Sequence, residues 1–174
     1  MNILRNLLNL PPALPPAPLP TPVTINGIRF PADGSPPHLL PLTTTSSIAS
    51  SGGPDAPWGH VPDLRAFWKT PQAWQWRDID IFRLENQPIS SCNGLYVVFF
   101  SFDLGALPEN NNFPQRLFGR RRAFAGDAFI VRLKGGQIGE EAGEDGWAVW
   151  VDVPEEVLGL PVMDMNVRVE DFGE

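Results

Sequence analysis

The sequence has one cysteine, Cys92, and two histidines, His38 and His60, in 174 residues. A single thiol cannot close an internal disulfide, which excludes a disulfide-stapled secreted scaffold. Three Cys and His side chains fall short of the four ligands of a structural zinc site. No apolar run approaches the ~18 residues of a membrane-spanning helix. The leucine-rich start is interrupted by Asn6, Asn9 and Pro11, so it does not read as a signal peptide. No Asn-x-Ser/Thr acceptor occurs. The expectation is a cytoplasmic protein, with the nucleus as the other compartment, and no membrane partner.

Catalytic and cofactor motifs are missing as well. There is no G-x-S-x-G around any serine. Gly135, Gly136 and Gly139 follow a strand-like run, but Lys134 stands where a dinucleotide turn needs its first glycine, and Glu140 and Glu141 would repel a pyrophosphate. The same acidic loop lacks the spacing of a calcium-binding loop. No cofactor is expected, and the reading points away from an enzyme. No motif places the chain in a family.

What is present is unevenly distributed. Fourteen of the 20 prolines lie in residues 1–62. Residues 1–60 hold only four charged side chains, Arg5, Arg29, Asp33 and Asp55. Residues 61–134 carry ten basic and seven acidic residues, a net +3, and residues 135–174 one basic and eleven acidic, a net −10. The formal charge of −7 is the sum of these unlike parts.

The prolines of residues 11–22 lock φ and remove backbone donors, which favours an extended polyproline rod over helix or strand. Residues 31–57, rich in Pro, Ser, Thr and Gly, read as flexible linker. Between them, Val23–Phe30 carries Asn26-Gly27 among β-branched residues, the signal of a tight hairpin turn. The expectation is an arm over residues 1–57, extended or disordered, with a hairpin at 23–30 docked on a domain of residues 58–174.

Within that domain, Pro62–Lys69 reads as a short helix with Leu64, Phe67 and Trp68 on one stripe. Strand signals follow at residues 78–84, 95–102, 128–134, 147–153 and 163–169. The second is apolar on both faces, as in a buried central strand. The third and fourth should pair as a hairpin, and the fifth alternates like a half-exposed edge. Residues 112–118, capped by Asn112, and 154–158 read as one or two helical turns. The fold class is α+β: a small, mainly antiparallel sheet of about five strands with few short helices, preceded by the proline-rich arm.

Three constellations are candidates for function. Trp58, Trp74 and Trp76 form part of an aromatic crowd that either builds the core or anchors a protein partner. Arg116 and Arg120, Arg121 and Arg122 form a basic cluster that either binds a nucleic acid or phosphate ligand or pairs with the acidic C-terminal region. Asp78 and Asp80 with Asp127 could make a carboxylate set for a two-metal hydrolase, although Arg132 stands where such a site wants an acid. Cys92 either forms a nucleophile–base pair with His60 or is a buried structural thiol, the commoner role. The leading expectation is a non-enzymatic protein-interaction domain. Nucleic-acid or phosphate-ligand binding through the arginines is the alternative, and the carboxylate hydrolase ranks third.

Overall fold

Alternation of buried and exposed residues runs through β1 (Thr24–Phe30) and β2 (His38–Ser46), and both are strands of one sheet. The computed structural model describes residues 21–46, 60–69, 77–84, 87–112, 124–134, 149–160 and 167–169. The other elements are β3 (His60–Pro62), helix α1 (Arg65–Trp68), β4 (Arg77–Leu84), β5 (Gly94–Ser101), β6 (Ala125–Leu133), β7 (Trp150–Val151) and β8 (Val167–Val169). Two 3-10 turns, Ser90–Cys92 and Glu155–Gly159, complete the list of described elements. The sheet has eight strands in the order β3-β2-β1-β6-β5-β4-β8, with β7 also paired to β6. Every pairing is antiparallel. The described residues thus form a mainly antiparallel sheet with few short helices, and eight strands among them exceed the expected five.

The additional strands come mostly from the stretch read as arm and linker. Asn26-Gly27 is not a turn. β1 runs straight through it, with Asn26 opposite Pro41 and Gly27 opposite Leu40. Gly27 is there for space. A Cβ at this position would stand 2.7 Å from Leu42 Cδ1 and 3.0 Å from the Ile130 carbonyl oxygen. The chain reverses instead at Ala32–Gly34, where Gly34 has φ 82° and Asp33 Oδ1 accepts the Ser35 N–H at 2.9 Å. Asp33-Gly34, not Asn26-Gly27, is the hairpin signal that the fold uses.

β2 tolerates Pro41 because β3 pairs only with Thr44–Ser46, which leaves the proline on an edge. Leu42 and Thr44 point inward at period two. β1 joins β6 through Ile28–Phe30, so residues 24–30 and 38–46 belong to the sheet. The proline-rich residues 1–20 and the segment 47–59 lie outside the described residues.

Other expectations hold. β5 lies between β4 and β6, and Leu95–Ser101 are all buried. β6 and β7 pair antiparallel through Arg132–Val151 and Leu133–Trp150. β8 pairs with β4. The predicted helix at 62–69 shortens to α1, and the turn at 154–158 is the 3-10 turn Glu155–Gly159. The predicted turns at 113–118 lie outside the described residues. Asn112 itself ties the β1–β2 turn, its amide donating to the carbonyls of Pro31 and Ser35.

Apolar layers cover both faces. On one, Leu95, Val97, Phe99, Phe129 and Val131 meet Leu42, Val61, Leu64 and Trp68. On the other, Tyr96, Val98, Phe100, Ala128 and Ile130 meet Phe82, Phe124, Val153 and Val157. Burial on both sides is why β5 and β6 read as continuous apolar runs.

Candidate functional site

At the N-terminal end of β6 the chain bulges. The β5–β6 register shifts between Phe99 and Ser101, and Gly126 adopts φ 65°. A side chain at Gly126 would meet Leu107 Cδ1 at 2.8 Å, so glycine is required twice over. The loop after β5 returns alongside: Gly126 N–H donates to the Pro108 carbonyl and Asn110 N–H to the Phe124 carbonyl, both at 2.7 Å. Asn110, fully buried, seals the join, its amide donating to the carbonyls of Phe30 and Gly126 at 2.8 and 2.9 Å. These contacts fix the loop against the end of β1.

The bulge places Asp127 toward β1. Arg29 Nε and Nη2 reach Asp127 Oδ2 at 2.7 and 2.6 Å, and Asp127 Oδ1 accepts the Ala32 N–H at 2.9 Å. The Trp68 indole N–H donates to the Asp127 backbone carbonyl at 2.8 Å. Phe67 lies under the guanidinium, with Arg29 Cζ 5.2 Å from its ring centroid, and packs on Phe129 at 4.9 Å. Helix α1 stops just beyond, at Lys69, whose φ of 56° is the left-handed conformation common at helix ends.

Between these parts is a cleft of about 450 Å³. Ala66, Phe67, Leu107 and Pro108 supply apolar wall, while Arg29, Lys69, Asp33 and Asp127 supply charge. The Ser35 hydroxyl holds the Asp33 carboxyl below its ordinary value of 3.8, helped by the Ser35 N–H and by nearby Arg29. On the loop that forms the wall, Phe102 and Leu104 are exposed.

The described residues that line this cleft include no Ser, Thr, Cys or His. Cys92 belongs to the opposite apolar layer, and burial pushes its thiol above the ordinary value of 9.0. His60 lies on β3, its Nδ1 3.4 Å from Thr44 Oγ1. The two are not brought together. Of the three aspartates, Asp78 and Asp80 lie on β4, opposite Phe100 and Val98, β5 separates β4 from β6, and Asp127 on β6 pairs with Arg29. Among the described residues no group of His, Cys, Asp and Glu is arranged to hold a metal ion. No helix among them is long and apolar enough to cross a membrane.

Trp58, Trp74 and Trp76, and Arg116, Arg120, Arg121 and Arg122, lie outside the described residues. The chain ends that bracket them do not. Lys69 lines the cleft, and Asn112 and Phe124 adjoin it through Asn110 and Gly126. Trp68 and Trp150 are core residues, the latter donating its indole N–H to the His60 carbonyl at 2.8 Å.

Sequence reading missed Arg29, Phe67, Lys69 and Leu107. One signal was available. Arg29 and Asp33 are two of the four charged residues among the first 60, and both line the cleft. In comparisons with protein-family models, curated proteins and solved structures, nothing matches this chain.

Proposed function

We propose that the protein is a non-enzymatic binding domain for a protein partner, and that the Arg29–Asp127 cleft is a principal contact. The observation that carries this reading is the composition of the cleft. It joins an apolar wall to charged groups, of which Arg29 and Asp127 already hold each other in place. Such a mixture suits polypeptide, whose side chains are apolar and whose backbone is polar. Phe102 and Leu104 on the same loop are exposed as well.

Site-specific photo-crosslinking tests it. A crosslinker replaces Ala66 at the cleft or Glu155 on the far 3-10 turn, both exposed. The expected result is peptide-bearing adducts from Ala66 and none in common with Glu155. Adducts that carry only nucleotide, or identical adducts from both positions, refute the proposal.

A further inference from the structure

We infer that the cleft takes an acidic stretch of its partner, with one Asp or Glu side-chain carboxylate seated on Arg29 and Lys69. The inference rests on the binding-domain reading and names the chemistry of the ligand.

Arg29 is held but not exhausted. A guanidinium has five N–H donors. Nε and Nη2 reach a single oxygen of Asp127, and Nη1 has no hydrogen-bond partner among the described residues, which leaves its donors for a ligand. Asp127 on one edge and the Phe67 ring on one face fix its orientation, which lowers the ordering cost of binding. Lys69 lines the same cleft and is exposed, and its ammonium makes no ion pair among the described residues. Two cations around an apolar recess form a carboxylate site.

The two aspartates decide the class of ligand. Asp127 is taken up by Arg29 and the Ala32 N–H. Asp33 uses Oδ1 on both the N–H and the hydroxyl of Ser35, which leaves Oδ2 as an acceptor at the rim. The cleft's charges therefore balance, two cations against two anions. A phosphodiester strand would bring repeated negative charge to Asp33 with no excess of cations to offset it. A polypeptide supplies both halves. Its carboxylate meets Arg29 and Lys69, its backbone N–H groups are donors for Asp33, and its side-chain carbons cover Phe67, Leu107 and Pro108. A volume of about 450 Å³ limits the contact to one short stretch.

The test is an NMR titration of the full chain with pools of N-acetylated, C-amidated hexapeptides. Each pool has Glu, Gln, Lys or Leu fixed at a central position, and a short oligothymidylate is titrated in parallel. The Glu pool is expected to move the amide signals of Ala32, Phe67 and Asp127 and to bind about tenfold more tightly than the Gln pool, as for one charge-assisted hydrogen bond. Lys69→Glu should abolish that preference and favour the Lys pool, whereas Lys69→Arg should retain it. Both variants should unfold at the wild-type temperature, because Lys69 is exposed and makes no ion pair among the described residues. Equal binding of the Glu and Gln pools at the cleft overturns the acidic selection and leaves the binding-domain reading standing. Cleft shifts driven by oligothymidylate more than by any peptide pool, or no cleft shifts with any pool, overturn both.

Discussion

The sheet is covered on both faces, but the covers differ. On the α1 face, Leu64 and Trp68 sit over Phe129, and the polar groups of Arg29 and Asp127 border the apolar layer. On the other face, the Glu155–Gly159 turn lays Val157 onto a layer where Phe82 stacks on Tyr96 and Phe100 meets Phe124 edge-on. The second face carries one guanidinium, Arg132, which lies over the Tyr96 ring at 5.8 Å and donates to the Asn93 carbonyl. The Tyr96 hydroxyl donates to the Cys92 carbonyl at 2.8 Å, and burial pushes its pKa up to about 12. Among the described residues the α1 face carries a four-residue helix that stops at Lys69, and the cleft borders that helix. Arg29, Lys69, Asp33 and Asp127 bring charge to this end of the sheet.

The largest effects should ignore this difference. Phe129→Ala and Phe100→Ala remove fully buried rings from opposite faces, and each should cost about 3–5 kcal/mol in urea denaturation. A much milder loss from either would mean that its face is not core. Gly27→Val should come next, at about 1–3 kcal/mol, through overpacking against Leu42 and the Ile130 carbonyl. A neutral result there would show that β1 does not approach β6 as closely as described.

Polar substitutions separate the faces. Asp127→Ala strips Arg29 of its ion pair and Ala32 of its acceptor, with an expected loss of about 1–2 kcal/mol once partial exposure is allowed for. Tyr96→Phe removes one buried hydrogen bond and should cost about 0.5–1.5 kcal/mol. Added salt should shrink the Asp127 effect and leave the Tyr96 effect alone, because only the first involves charge near water.

The smallest effect is a pH dependence. Burial lowers the His60 pKa from its ordinary 6.5, so the unfolded chain binds the proton more readily than the folded one. Stability from this group is complete above pH 6.5, declines as pH falls through the window below it, and levels off beneath the folded value. His60→Gln should flatten that slope in denaturation midpoints. Cys92 and Tyr96 on the other face are shifted upward, away from this window, and contribute nothing to it. A slope unchanged in His60→Gln would locate the titrating group elsewhere.

Legibility in the sequence followed the strength of local pattern. β5 was readable because eight residues, Gly94–Ser101, leave almost no polar interruption. α1 was readable from the spacing of Leu64, Phe67 and Trp68. β2 was not, since Pro41 and a run of Thr and Ser resemble linker. What makes it a strand is β1 on one side and, at its far end, β3. Asn26-Gly27 misled for a related reason: glycine serves turns and close approaches alike, and only the neighbours Leu42 and Ile130 distinguish them. The cleft was the least legible feature. Its residues come from β1, the following turn, α1, the loop after β5 and the start of β6, with no spacing in common.

Alone, then, the sequence determined that one thiol cannot close an internal disulfide, and that the apolar run near residues 95–101 is buried on both faces. Those properties are local, set by side-chain chemistry and period. Tertiary structure alone decided that residues 24–30 and 38–46 are sheet, that Gly27 is a packing position, and that Arg29 meets Asp127 across 98 residues of chain. Each of these depends on what the strand order brings alongside, and strand order is a property of the whole chain.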